Sequence, residues 1–526
     1  MELQDVGRFC CVVTVSDSFS EPVSCSGVIV HPQTGTVICT ALPFARFISQ
    51  KEPLCANCSF LPPCTFSNRL HISVSFSAYR HLDTNRCAQE ACTTPSPVQQ
   101  HHREATARLL VLVDCLEFRH TLQTVFQESD QWRFHGDEEL MEDAQFLSWF
   151  AVIQTDVTDN PPNSGVIPWQ SSSCLRKGCP VVACGSPFGS LCVDLFISTL
   201  SRGIVSNLAG EDNTVILTDA RCLPGTEGGG LFAFTGSDRV CLIGVVVSPF
   251  GWKANEWIGL TLVCSVDFIF RNVIRCETVQ EPLRDMRLYP GETGIRSSAA
   301  HLEPLAVKFP TVCLVDSGLF WGSGVVVSSQ LVLTCRHVVD GKSAVTLKFH
   351  HRDRFHDVVG DVLFSTKASS PYDLAVVQMK DSAPKVVVSP LARCFYPGEP
   401  VVVVGYGGLG QSCGPSLTCG ILSKSITLNY QPVMLQTTCA VHAGTSGGAV
   451  VRTHSGELLG IVSSNTRDFA AKVTYPHLNF SIPVTVFHEL LEHFNHTRDV
   501  GVFTVLDTTE EDTRRVWRLQ NTQSKL

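Results

Sequence analysis

Short apolar runs rich in Val and Ile recur along the chain, and each ends in a cluster of Gly, Pro, Ser or Asn. Val325-Val326-Val327, Leu331 to Thr334, Leu374 to Val377, Val401 to Val404 and Leu458 to Val462 are clear cases. β-branched side chains suit an extended backbone and the punctuating residues favour turns, so this rhythm predicts the strands of sandwiches or barrels. Helical spacing is scarce. Phe487, Leu490, Leu491 and Phe494 stand at i, i+3, i+4 and i+7 shortly after Pro483, which predicts one amphipathic helix near the C-terminus. The expected fold is all-β with that single C-terminal helix.

The pattern occurs twice. The second half reads SGVVVSSQLVLTCRHVV from Ser323, DLAVV from Asp373, GEPVVVVGYGGLG from Gly398, GILS from Gly420, AGTSGGAV from Ala443 and GELLGIVSS from Gly456. The first half carries, in the same order, SGVIVHPQTGTVICTALPF from Ser26, FAVI from Phe150, GCPVVACGSPFG from Gly178, GIVS from Gly203, PGTEGGGL from Pro224 and VCLIGVVVS from Val240. Ordered matches of this kind indicate an internal duplication. A first copy is expected over 1–276, a polar linker with Pro and Gly over 277–303, a second copy over 304–496 and a tail over 497–526. Residues 51–104, rich in Cys, Pro, Ser and His, are expected to form a long surface insertion in the first copy.

Composition narrows the class. The 526 residues exceed one ordinary core, 44% are hydrophobic and 17% charged, which suits two packed domains rather than disordered tracts. The net charge is −9 and the 40 Lys and Arg are scattered, so neither nucleic acid nor an anionic membrane is an expected partner. No run of 18 apolar residues is present, and the opening Met1-Glu2-Leu3-Gln4-Asp5 is not a secretory signal. The 24 cysteines are therefore expected to be reduced, with Cys39, Cys184, Cys264 and Cys313 acting as small core residues. Sequons at Asn57, Asn479 and Asn495 are read as chance matches. The last residues, Ser524-Lys525-Leu526, form a receptor-read peroxisomal address. The peroxisomal import receptor is thus one expected partner and the peroxisomal matrix the expected location.

A serine hydroxyl becomes a useful nucleophile when a histidine takes its proton and a carboxylate fixes that histidine's tautomer. The second copy supplies candidates in the order His337, Asp373, Ser446. His337 follows the run LVLT, Asp373 precedes the run Leu374 to Val377, and Ser446 sits in Gly444-Thr445-Ser446-Gly447-Gly448. The glycines allow a tight turn that aims the N–H groups of Gly444 and Ser446 at one point, an oxyanion hole.

TCRHVV, DLAVV and GTSGGAV resemble the His, Asp and Ser blocks of the trypsin-like superfamily, above all its HtrA/Deg branch, and Leu478 to Pro483 resembles that branch's end-of-domain pattern. The resemblance spans about residues 306–494 well and 9–274 weakly. It implies tandem trypsin-like double β-barrel domains, the first degenerate, and a serine endopeptidase without cofactor or metal. The branch's usual PDZ module is not expected after the helix. With the terminal address, the resemblance implies imported peroxisomal matrix protein precursors as substrates, trimmed at a leader or an internal site. In the first copy Leu42 or a neighbour, Trp149 and Glu227 stand where His337, Asp373 and Ser446 stand in the second, so that copy is expected to be a pseudoprotease.

In this superfamily the residue six before the nucleophile floors the specificity pocket. Here that is Ala440, followed by Val441 and His442, with Ser463, Ser464 and Asn465 as the expected wall. No carboxylate stands there to pair Lys or Arg, so a small neutral or weakly polar residue is expected before the scissile bond. The resemblance implies cysteine. His442 either contacts substrate or is structural. By the same logic Cys87-Ala88 and Cys92-Thr93 are candidate self-cleavage points. Cys55, Cys58, Cys64, Cys87, Cys92, His101 and His102 have the flavour of a zinc site, but the second pair has the wrong spacing and reduced loop cysteines are the default. Two other readings stay open: a catalytically silent binding or chaperone protein, and a cytosolic quality-control protease. Homo-oligomer formation is also left open.

Overall fold

The computed structural model describes residues 1–17, 20–48, 58–77, 102–126, 132–134, 146–155, 167–236, 239–249, 251–253, 256–276, 308–351, 354–381, 383, 385–468 and 473–517. Four six-stranded antiparallel barrels follow one another. The first uses Cys10–Ser16, Val23–His31, Thr36–Thr40, His71–Ser77, His102–Asp114 and Trp149–Thr155, closed by pairing of the last two. The second uses Pro180–Gly185, Thr199–Ala209, Val215–Thr218, Gly230–Phe234, Val240–Ser248 and Thr261–Ser265. Val312–Asp316, Trp321–Val326, Leu331–Thr334, Ala344–His351, Arg354–Ser365 and Ala375–Met379 build the third. Pro400–Gly405, Ser416–Leu428, Gln431–Thr437, Ala449–Arg452, Leu458–Asp468 and Val473–Pro483 build the fourth.

Each barrel has the same ring order of its strands: first, second, third, sixth, fifth, fourth. That common topology is the fold-level image of the repeated strings, and it makes the chain all-β in tandem double barrels. The Val- and Ile-rich runs become strands buried along their whole length, as in Leu331–Thr334 and Val240–Ser248, because the barrel interior covers one face and loops or the neighbouring barrel the other. The predicted helix forms over His488–Thr497 and buries Leu491 and Phe494. Among the described residues no helix is long and apolar enough to cross a membrane.

Two expectations need correction. The segment 51–104 is not simply an insertion: His71–Ser77 is a barrel strand paired with both Cys10–Ser16 and His102–Asp114, with Ile72 and Val74 buried. The alternation in HISVSFS carries this strand through a stretch whose composition reads as loop. Nor does the ordered second copy end at 496. Val500–Leu506 and Glu511–Trp517 pack back on it, with Phe503, Leu506 and Trp517 in its core. The Trp517 indole N–H donates to the Val433 carbonyl at 3.1 Å.

The two copies share cores. Ile204 of the first buries in the second copy's cluster, while Leu409 and Cys413 of the second bury in the first's. Polar contacts fix the register. The Asp219 carboxylate accepts from Ile204 N at 2.7 Å and from Cys419 N at 2.5 Å, and Lys177 Nζ donates to the carbonyls of Cys413 and Pro415. Asp219 is almost wholly buried, and burial pushes its carboxyl above the usual range.

Candidate active site

His337 lies on the short helix Arg336–Val339, which follows the strand Leu331–Thr334 directly. Asp373 immediately precedes Leu374 and the strand Ala375–Met379, which pairs with the His-bearing strand. The two side chains meet: His337 Nδ1 is 2.6 Å from Asp373 Oδ2, and the backbone N–H of His337 donates to Asp373 Oδ1 at 3.0 Å. Asp373 is 1% exposed and His337 is half-buried, so the carboxylate is shielded while the ring keeps an open side. Arg336 Nε stands 3.7 Å from Asp373 Oδ1 and offsets part of the burial cost of that charge.

The loop carrying Asp373 is held from two directions. Thr366 Oγ1 donates to the Tyr372 carbonyl at 2.8 Å and accepts from Leu374 N. The folded-back C-terminal segment supplies the other brace: Ser370 Oγ donates to the Leu506 carbonyl, Lys367 N donates to Asp507 Oδ1, and the Tyr372 and Trp517 rings meet edge to face.

Ser446 is fully buried, and its Oγ lies 3.4 Å from the Ser463 carbonyl. Its loop and the His337 element converge on one acceptor, the Val462 carbonyl, which takes Gly447 N at 2.8 Å and Cys335 Sγ at 3.2 Å. Gly444 has φ +88°, and a Cβ there would overlap the Trp321 ring, so only glycine fits this corner of the turn. Among the described residues one group of metal-type donors lies close together, with atoms of Cys335, His337 and Asp373 all within 4.8 Å. The His–Asp hydrogen bond already engages two of them.

The first copy keeps the same loop bond for bond. Ser323 N to Ser446 O, Ser323 Oγ to Gly444 O, Thr445 N to His442 O and Gly448 N to Thr445 O have counterparts in Ser26 N to Glu227 O, Ser26 Oγ to Gly225 O, Thr226 N to Leu223 O and Gly229 N to Thr226 O. Glu227 therefore stands at the position of Ser446. Strand pairing puts the neighbour of Leu42 at the histidine position, within the expectation, and shifts the expected aspartate counterpart by one residue. Thr334 pairs with Ala375 and Thr40 with Phe150, so Pro43 stands opposite His337 and Ser148, not Trp149, opposite Asp373. FAVI and LAVV are continuous apolar runs with no internal phase, which is why a one-residue slip is invisible in them.

The expected pocket residues are all buried. Ala440 and Val441 are buried; Ala440 O accepts from Thr418 Oγ1 and Val441 N donates to Pro476 O. The buried His442 accepts from Gly408 N at Nδ1 at 3.0 Å, which gives that nitrogen a structural task. Ser463, Ser464 and Asn465 are buried on the strand beyond Val462. Asn479, one of the three sequons, is wholly buried and bonded to Thr437 and Cys439. Of the zinc-like cluster, Cys58 donates to the Phe60 carbonyl and Cys64 is exposed, while Cys55, Cys87, Cys92 and His101 lie outside the described residues. Ala88, Thr93, Ser524, Lys525 and Leu526 also lie outside them.

Paired Greek-key barrels with a buried His–Asp couple beside a glycine-bounded serine define a trypsin-like serine endopeptidase. A trypsin-like peptidase domain model matches residues 322–461. Over 95% of its length the chain is 39% identical to the peroxisomal leader peptide-processing protease of Homo sapiens, covering 93% of that protein. The protein of that name from Mus musculus is 38% identical over 98% of the chain, with 96% of its own length covered. Putative protease Do-like 14 of Arabidopsis thaliana is 28% identical over 39% of the chain and 49% of that protein. The chain belongs to the peroxisomal leader peptide-processing protease family.

Proposed function

We propose that this protein removes leader peptides from, or cuts internally, imported peroxisomal matrix proteins, with His337, Asp373 and Ser446 as its catalytic triad. Ser446 Oγ gives its proton to the open side of the His337 ring, at Nε2, as it bonds to the scissile carbonyl carbon. Asp373 on Nδ1 keeps Nε2 the accepting nitrogen and stabilises the imidazolium. The N–H groups of Gly444 and Ser446 receive the oxyanion. The departing amine takes the proton from Nε2, and water repeats the sequence to release the acyl group. The supporting observation is the 2.6 Å His337–Asp373 contact on an element that shares the Val462 carbonyl with the Ser446 loop.

The first copy, with Pro43, Ser148 and Glu227 at the corresponding positions, acts as a scaffold packed on the active one. Ser524-Lys525-Leu526 takes the chain to the matrix through the import receptor, and Cys87-Ala88 or Cys92-Thr93 is the point of self-cleavage. The test is to incubate purified wild-type and Ser446→Ala protein with matrix-protein precursors and sequence the new N-termini. New termini from wild type alone support the reading, and cleavage surviving in Ser446→Ala rejects it.

A further inference from the structure

Cys335, His337 and Asp373 present a sulfur, a ring nitrogen and a carboxylate oxygen that lie within 4.8 Å of one another. Cys335 and Asp373 are buried, while the half-buried His337 ring forms the open wall of the cluster. Triad chemistry calls for the histidine and the carboxylate alone. The sulfur is an addition, and it donates to the Val462 carbonyl at 3.2 Å. Nor does the fold need a sulfur at this place. Thr40 of the first copy corresponds to Thr334, so the counterpart of Cys335 is Ala41, which is equally buried. The copy that holds Pro43 and Ser148 in place of the histidine and the carboxylate thus also lacks the thiol.

Thiolate, imidazole and carboxylate together make a donor set for zinc, whereas magnesium and calcium take oxygen ligands. Zn–S bonds of about 2.3 Å and Zn–N or Zn–O bonds of about 2.0–2.2 Å, set tetrahedrally, put neighbouring donors roughly 3.4–3.6 Å apart. The donors, none more than 4.8 Å from another, need shifts of only roughly 1 Å to reach that spacing. The 2.6 Å separation of His337 Nδ1 and Asp373 Oδ2 opens by a similar amount.

We propose that Cys335, His337 and Asp373 form an inhibitory zinc site, and that an ion bound there switches the protease off. The zinc bonds to the Cys335 sulfur, whose proton leaves to solvent, to His337 Nδ1 and to an Asp373 carboxylate oxygen, with water in the fourth position. The proton displaced from Nδ1 is taken up at Nε2 through solvent, so the ring stays neutral but in the other tautomer. Nε2 is the nitrogen that must accept the Ser446 proton, and once it carries one of its own the serine hydroxyl stays a poor nucleophile. Loss of the ion returns protons to the sulfur and to Nδ1 and restores the triad. The effect on catalysis rests on the protease reading; the binding does not.

The test adds zinc chloride to full-length protein cleaving a peptide. Each variant's rate is read against its own rate in a chelator, so any effect of substitution on basal activity drops out. Wild type is expected to be half-inhibited at or below about 10 µM zinc, weaker than a four-ligand structural site because a hydrogen bond is given up, and to recover in the chelator. Magnesium at about 1 mM is expected to leave the rate unchanged, because it takes oxygen ligands. Cys335→Ala is expected to raise the half-inhibiting zinc concentration at least about tenfold, since even groups one step removed from a metal cost about 10- to 100-fold in affinity. A sulfur with only a packing role would alter the basal rate and leave that concentration where it is. Cobalt(II) gives a readout independent of activity: wild type is expected to show a near-ultraviolet thiolate-to-cobalt band in excess of that of Cys335→Ala. Should Cys335→Ala not fold, Cys335→Ser takes its place. Wild type indifferent to about 100 µM zinc, or a variant inhibited equally, overturns the proposal and leaves the protease reading standing. Wild type that neither cleaves peptide nor reacts at Ser446 with a fluorophosphonate removes the protease reading, and presence or absence of the cobalt difference then decides the site alone.

Discussion

The carboxylate of Glu227 accepts a hydrogen bond at 2.6 Å from the backbone N–H of Gly225, the residue that corresponds to Gly444 in the other copy. Gly225 keeps the positive φ of its counterpart, +94° against +88°. A turn whose counterpart is proposed to receive an oxyanion thus holds a carboxyl oxygen of its own chain, in the copy that has no serine at this position. Reverting that position alone does not rebuild the chemistry, because Pro43 and Ser148 supply neither base nor carboxylate. Glu227→Ser protein should show no fluorophosphonate labelling beyond that at Ser446, and a second labelled peptide would contradict this.

Burial is the chief influence on Glu227 and raises its carboxyl above the usual range. The folded protein therefore binds this proton more tightly than the unfolded chain does. Stability from this group is present below the ordinary carboxylate value, declines as pH rises towards the raised value, and stays lost above it. Glu227→Gln removes the titration. Melting temperatures measured between about pH 4 and pH 8 should show the variant gaining on wild type as pH rises, whereas a gap constant across that range would contradict the assignment.

Asp373 fixes the His337 tautomer through a contact that an amide of the same shape reverses. Asp373→Asn should leave KM and the fold nearly unchanged and lower kcat by about 10,000-fold. Steady-state kinetics with a cleaved peptide, alongside circular dichroism, separates this from misfolding. A loss below about tenfold would argue against an Asp-oriented histidine.

Gly444 combines a positive φ with contact against Trp321 and the Tyr406 carbonyl. Gly444→Ala should displace the turn and with it the N–H aimed at the oxyanion, lowering kcat by about 100- to 1000-fold. Trimming the obstruction in Trp321→Ala, combined with Gly444→Ala, should recover little, because the backbone strain remains.

Trp517 buries its ring against Tyr372, beside the loop of Asp373. Trp517→Ala should cost about 3–5 kcal/mol in denaturant unfolding, as expected for emptying a large core site. It should also lower kcat more than KM, through the loosened Asp373 loop. Unaltered kinetics at a temperature where the variant is fully folded would show that the C-terminal segment serves stability alone.

How much of this was legible in the sequence depends on whether the signal was local. The strand runs, the helix at His488–Thr497 and the blocks around His337, Asp373 and Ser446 are each written in a few adjacent residues. The strand His71–Ser77 was hidden by its surroundings, since cysteines and prolines on either side outweigh a seven-residue alternation. Phe503 and Leu506 sit in the apolar run VGVFTVL, which an expected tail over 497–526 leaves unassigned, while Trp517 is an isolated aromatic in a charged stretch without periodicity. Asp219 reads as a strand end. Only the approach of Cys419, two hundred residues away, turns it into a joint between copies.

That joint constrains how the duplicated chain can change. Ile204 completes the core of one copy while Leu409 and Cys413 complete the core of the other, so neither core is whole without its partner. Cutting the first copy away would uncover greasy surface and strand the backbone N–H of Cys419. A protein arranged this way tolerates exchange at Pro43, Ser148 and Glu227 more readily than at Asp219, Ile204 or Leu409, where one substitution disturbs both halves.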